Sequence, residues 1–214
     1  MEIKGAIFDM DGLMLDTERL LMKFWIAAAR EYGFDMKEEN VLGIRSLAAK
    51  FAAPKLQSEL GKDFDYYKVK KKRIELMNAY VREHGVDKKP GLDKLLDYLK
   101  TNGFKIAVAT ATDMERTKMY LTSVGVWDYF DAVVCGPMVE NGKPEPDIYL
   151  KASECLGLKP QECIALEDSP NGIKSAYSAG CYPIMIPDLS QPDAETSALL
   201  YRKFDRLDEV IDIL

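Results

Sequence analysis

The sequence has no long apolar run, no pair of cysteines in C-x-x-C spacing and only one histidine, His84, in 214 residues. No stretch approaches the ~20 apolar residues that a membrane span needs. The N-terminal "MEIKGAIFD" has no basic segment ahead of an apolar one, so no signal peptide is read there. The cysteines (Cys135, Cys155, Cys163 and Cys181) each lie in or beside an apolar segment. That pattern predicts buried free thiols in a reducing compartment, ahead of disulfides or a zinc site. A cytoplasmic protein is expected. An excess of positive charge is missing too: 29 lysines and arginines face 35 acids, for a net charge of -6. This weighs against nucleic acid or an anionic membrane as partner, since both reward a basic face. No repeat, low-complexity tract or sustained heptad is visible, and a monomer is expected.

What is present alternates. "KIAVAT" (105–110), "DAVVC" (131–135), "CIALE" (163–167) and "YPIMI" (182–186) are short apolar runs. Between them lie helical patterns at 113–124, 146–157 and 170–179. Such alternation predicts βαβ crossovers and an α/β fold with a parallel sheet covered on both faces. "KGAIFD" (4–9) is a fifth strand of the same kind, standing alone at the N-terminus. The segment between is all helical. "TERLLMKFWIAAAREYG" is amphipathic, with Asp16 or Thr17 as N-cap and Gly33 as its stop. "SLAAKFAAPKLQSEL" and "YYKVKKKRIELMNAYVREHG" are helical as well. An all-helical cap inserted after the first strand is expected, with residues 1–15 and 87–214 as core and 16–86 as cap. The polar "VDKKPG" (86–91) is the return linker.

The chemistry gathers at the ends of the apolar runs. In "FDMDG", Asp9 and Asp11 are two residues apart, so a strand would point both to one side. Two adjacent carboxylates need a cation or a shared proton. Gly12 permits a tight turn whose N–H groups could cradle an anion. A hairpin turn explains Asp-Gly equally well. Thr110 ends the second run, with Thr112 beyond it, and could donate to an oxyanion or be an ordinary strand threonine. Lys143 precedes Pro144, where it could be a point charge for phosphate or a solvated loop lysine. Glu167 and Asp168 end the next run, directly before a helix starting near Pro170. They are hard oxygen donors of the kind Mg²⁺ prefers, or helix-capping acids. Capping accounts for one acid there better than for two.

Acids, hydroxyl, lysine and acids therefore fall in order at four predicted strand ends. In this order "DMDG", Thr110 in "VATAT", Lys143 in "GKPEP" and "EDSPNG" resemble the four motifs of the haloacid dehalogenase-like superfamily, over essentially the whole chain. The helical block resembles the cap of the β-phosphoglucomutase and pseudouridine-5′-phosphatase-like subgroup. The resemblance implies a Rossmann-like core and an Mg²⁺-dependent phosphatase acting on a small sugar phosphate or nucleotide-like monophosphate. It implies Asp9 as nucleophile, with an aspartyl-phosphate intermediate, and Asp11 as general acid and base. Thr110, Lys143 and Gly12 would bind phosphate. Asp9, Asp11 through its carbonyl, Asp168 and Glu167 would hold the metal. Asp11 speaks against dehalogenation, which needs no acid for a halide. A phosphosugar mutase is the alternative, but Leu21 stands where such mutases carry a histidine. A catalytically retired binding module is a further one. In "LGIRS" (42–46), Arg45 is a candidate for a second anionic group on the substrate. The run Lys68 to Arg73 is read as a solvated helix face, and Phe24, Trp25 and Tyr32 as cap core.

Overall fold

The computed structural model describes residues 2–214. The chain runs β1 (Gly5–Phe8), α1 (Glu18–Glu31), α2 (Glu38–Leu42), α3 (Ala49–Leu60), α4 (Tyr66–His84), α5 (Leu92–Thr101), β2 (Lys105–Thr110), α6 (Met114–Ser123), β3 (Ala132–Cys135), α7 (Asp147–Cys155), β4 (Cys163–Glu167), α8 (Pro170–Ala179), β5 (Tyr182–Met185), α9 (Ala194–Leu199) and β6 (Arg202–Lys203). All five expected strands form. The short β6 was not expected, because two charged residues carry no strand pattern.

The six strands form one sheet in the order β3-β2-β1-β4-β5-β6, with every neighbouring pair parallel. The central strands are buried on both faces. Ala6, Phe8, Ile106, Val108, Ile164 and Leu166 pack into one apolar cluster. Ile7, Ala107, Ala109, Cys163 and Ala165 pack into the other. This is why the runs read as continuously apolar and do not alternate. Phe8 lies beside Val108 on one side and Leu166 on the other. The residues just beyond those positions (Asp9, Thr110 and Glu167) therefore emerge together at the carboxyl edge. The strand order changes direction at β1, and ligands bind at such points in open α/β sheets.

The helices α1 to α4 carry a cluster of their own, built from Trp25, Ala28, Ala29, Val41, Leu56, Phe64 and Val69 among others. Two chain segments connect this block to the sheet, and they run side by side. Asp16 N–H donates to the Asp87 carbonyl at 2.9 Å and Lys89 N–H to the Met14 carbonyl at 2.8 Å. Lys89 Nζ then bridges Asp16 at 3.0 Å and Asp188 at 2.8 Å.

Several expectations need correction. The residue capping α1 is Thr17, without a side-chain cap bond. Asp16 is engaged by Lys89 instead, since an ammonium within reach outcompetes a backbone N–H for a carboxylate. Phe24 and Trp25 are buried, but Tyr32 is exposed, because it sits just past the end of α1. All four cysteines are free, yet Cys155 is exposed on the outer face of α7. The run 68–73 is not a uniform solvated face. Lys68 and Lys71 are exposed, Lys70 is half-buried and Arg73 is buried. Val69, Arg73, Met77 and Val81 share one inward stripe of α4, at four-residue spacing.

Candidate active site

Lys143 is the hub of the site. Its side chain is completely buried between β1, β2 and β4. Nζ donates to Asp9 Oδ1 at 2.5 Å, to Glu167 Oε1 at 2.6 Å and to the Ala109 carbonyl at 2.9 Å. All three ammonium hydrogens are thus used. Its two carboxylate neighbours hold the ammonium above its ordinary pKa, although burial alone would lower it. The Tyr149 hydroxyl of α7 donates to the same Glu167 oxygen at 2.5 Å. Ser169 Oγ also donates to Glu167 and accepts from the Gly172 N–H at the start of α8. A Cβ at Gly172 would overlap the Glu167 carboxyl group. Glycine is needed there for space, and Glu167 can lie against the helix only because of it.

Asp9 is buried, and burial drives its carboxyl well above the usual range despite Lys143. Asp168 behaves likewise, for the same first reason and with Glu18 adding repulsion. Asp9, Glu167 and Asp168 each offer an oxygen, and these oxygens lie within 4.8 Å of one another. Asp9 Oδ2 and Asp168 Oδ1 are buried without a hydrogen-bond partner. Two orphaned carboxylate oxygens in an acidic cluster fit a divalent cation with oxygen preference.

Asp11 stands at the cavity wall with both oxygens in use. Thr17 Oγ1 donates to Oδ1 at 2.7 Å and Thr112 Oγ1 to Oδ2 at 2.8 Å. One threonine comes from the helical block and the other from the end of β2. Thr110 is buried, and its Oγ1 accepts from the Thr112 N–H at 3.1 Å. Gly12 has φ +84°, and a Cβ there would meet Asp168 and Glu18. The turn after β1 is therefore a tight approach to the acidic cluster, and the hairpin alternative is gone: β1 pairs only with β2 and β4.

Arg45 extends from the segment after α2 across to the sheet. It pairs with Asp168 and, at 3.2 Å from Nε, with Glu18. Its Nη1 donates to Ser190 Oγ at 3.0 Å. Glu18, missed in the sequence, is buried. Burial pushes its carboxyl up to about 8, against the pull of Arg45. The two carboxylates already meet the Arg45 charge, so this guanidinium is not free for an anion. Asp9, Asp11, Arg45, Thr110 and Thr112 line one cavity of about 100 Å³ between sheet and helices. Arg73, Lys70 and Arg116 line it too and were also missed. For Arg73 a signal existed, since it falls on the stripe of Val69 and Met77.

The geometry joins a carboxylate triad, a buried lysine and a positioned second carboxyl at one sheet edge. The haloacid dehalogenase-like hydrolase family matches residues 6–186. A phosphorylated carbohydrates phosphatase of Thermotoga maritima is 33% identical over 83% of this chain and 82% of its own length. Hexitol phosphatase A of Escherichia coli is 33% identical over 87% of this chain and 84% of its own. The solved structure of CbbY from Rhodobacter sphaeroides with phosphate superposes with a TM-score of 0.82. It is 26% identical, covering 97% of this chain and 96% of its own. Motif order, sheet topology and family match agree, and the chain belongs to the haloacid dehalogenase-like hydrolases.

Proposed function

We propose that the protein is an Mg²⁺-dependent phosphatase that hydrolyses a small phosphorylated metabolite through an aspartyl-phosphate. The observation that carries this reading is the Lys143 hub, which draws Asp9 and Glu167 into one buried cluster beside Asp168. The phosphatases among its relatives support the same class of reaction.

In this mechanism an Asp9 oxygen attacks phosphorus and the bond to the leaving alcohol oxygen breaks. Asp11 gives its proton to that oxygen. A water then attacks the phosphorus of the acyl phosphate, passes a proton to Asp11 and releases Asp9 and inorganic phosphate. Asp11 regains in the second step the proton it lost in the first. The Thr17 and Thr112 hydroxyls hold its carboxyl group in place through both. Thr110 and the N–H groups around Gly12 bind phosphoryl oxygens, whose charge must be met for in-line transfer, and Lys143 joins them when Asp9 gives up its hydrogen bond on attacking phosphorus. Asp9, Asp168, Glu167 and the Asp11 carbonyl would hold Mg²⁺, which neutralises phosphoryl charge when bound. Residues 16–86 act as a cap over the core of residues 1–15 and 87–214, excluding water and selecting the leaving group.

The mutase alternative stays distinguishable. Leu21, an apolar residue, lines the cavity, and His84 is exposed and stacked on Tyr80. No histidine is placed to manage a proton on a sugar hydroxyl, which favours plain hydrolysis. Phosphate release from p-nitrophenyl phosphate or acetyl phosphate, with Mg²⁺ and with EDTA, tests the reading. Turnover lost in EDTA and in Asp9→Asn is expected. Equal rates for Asp9→Asn and the parent would overturn it. Conversion of β-glucose 1-phosphate, primed with a bisphosphate, to glucose 6-phosphate without free phosphate would establish the mutase.

A further inference from the structure

Within the cavity, positive and negative groups are not evenly matched. The acids have partners: Asp9 has Lys143, Glu18 has Arg45 and Asp11 has two threonine hydroxyls. Of three cations on the opposite wall, two have no acid partner and the third is met at one nitrogen only. Arg73 is 6% exposed, and its Nε and Nη1 are buried with no hydrogen-bond partner. Lys70, one turn earlier on α4, makes no hydrogen bond or ion pair among the described residues. Arg116 reaches in from α6 on the sheet side. Its Nε is held by Asp113 at 2.7 Å, while its two terminal nitrogens make no hydrogen bond among the described residues.

A buried, unpaired guanidinium is costly to a fold. Part of that cost is offset by Trp25, whose ring centroid lies 5.2 Å from the Arg73 guanidinium carbon. An aromatic face meets the charge but leaves Nε and Nη1 without a hydrogen bond, and Arg73 is one of the residues that line the cavity. Burial, with repulsion from Arg73 and Arg116, holds Lys70 down to about 8, and burial with repulsion from Arg116 holds Arg73 down to about 10. An anion among them would relieve both effects at once. Asp11, the proposed acid for the leaving group, lines the same cavity as the three cations, so they face the leaving-group end of the substrate.

We propose that Arg73, Lys70 and Arg116 form a subsite for a second anionic group on the substrate, a phosphate or carboxylate carried by the leaving-group end. The substrate is then a doubly anionic small metabolite, and two of the three selecting residues lie on α4 while the third lies on α6. This rests on the phosphatase reading for which end is transferred. The subsite itself follows from unpaired Arg73 and Lys70 and from the unused terminal nitrogens of Arg116 on one cavity. Arg45, tied to Glu18 and Asp168, is not part of it.

The test uses matched substrates of two lengths. Glycerol 3-phosphate, 3-phosphoglycerate and 1,3-propanediol bisphosphate form one series. Fructose 6-phosphate, 6-phosphogluconate and fructose 1,6-bisphosphate form the other. In at least one series kcat/KM should be about tenfold or more higher for a doubly anionic member than for the neutral-ended one. Which member gains separates phosphate from carboxylate. Arg73→Gln should lower that ratio by about tenfold or more, and Arg73→Lys should restore part of it. Arg116→Gln serves as the independent variant from the other wall. Arg73→Met should unfold at the same temperature as the parent or higher, whereas a purely structural arginine would lower it. If no ester is hydrolysed, the phosphatase reading fails by itself. Calorimetry on Asp9→Asn then compares binding of the same ligands, with a tenfold tighter Kd expected for a doubly anionic one. Neutral-ended ligands equal or better in both series, or equal losses on both kinds in Arg73→Gln, would overturn the subsite.

Discussion

Lys143 Nζ and Asp9 Oδ1 lie 2.5 Å apart as a buried pair, although 134 positions separate them in the chain. The ammonium also meets Glu167 at 2.6 Å, so it offsets two carboxylates. Replacing it with an apolar side chain leaves two buried acids facing each other. Lys143→Met should therefore lower stability by about 3–5 kcal/mol near neutral pH, the usual cost of removing one partner from a buried ion pair. Urea unfolding measures it. A change below 1 kcal/mol would mean that the acids simply take up protons.

Metal should stabilise the fold. A cation bound by the folded chain alone adds about 2.7 kcal/mol at a hundredfold excess over its Kd. The parent should thus melt at higher temperature in millimolar MgCl₂ than in EDTA. Asp168→Asn should lose most of that gain, because its orphaned Oδ1 is one of the two unpartnered oxygens in the cluster of Asp9, Glu167 and Asp168. Identical melting curves with and without Mg²⁺ would remove the metal from these residues.

Gly172 is a spacing residue for Glu167. In Gly172→Ala the new methyl would occupy the volume of the Glu167 carboxyl group. Overpacking of this kind costs about 1–3 kcal/mol, and here it also displaces an acid bound to Lys143. Stability and turnover should fall together. A variant with parental melting temperature and parental kcat would show that Glu167 can move freely.

The anion subsite should weaken with rising pH. Burial first, then Arg73 and Arg116, hold Lys70 down to about 8, with Asp113 acting in the opposite sense. A cation is charged below its pKa, so Lys70 discharges between about pH 7 and 9. A phosphate with its second pKa near ~6 stays doubly charged throughout. Preference for the doubly anionic substrate should fall across that window. It should not vanish, because Arg73 is held only to about 10. Lys70→Gln should flatten the profile. A preference constant from pH 7 to 9 in the parent would exclude Lys70 from the subsite.

The sequence by itself determined the sheet and which residues gather at its carboxyl edge. Strands buried on both faces read as short apolar runs. Asp9, Thr110 and Glu167–Asp168 sit at or directly beyond the ends of those runs, so a parallel sheet brings them together without further information, whereas Lys143 lies eight residues beyond β3 and is brought in by its loop. Tertiary structure decided the pairings across the cavity. Asp16 was one of two cap candidates and does not cap α1, because Lys89 arrives from 73 positions away. Arg45 looked free and is occupied by two acids. The run Lys68 to Arg73 looked like one surface, yet the helix turns about 100° per residue and points Arg73 inward with Val69 and Met77. Charge alone says nothing of which side chains water can reach. That depends on how α4 packs against α1 and the core, and the packing leaves Arg73 Nε and Nη1 without a hydrogen-bond partner.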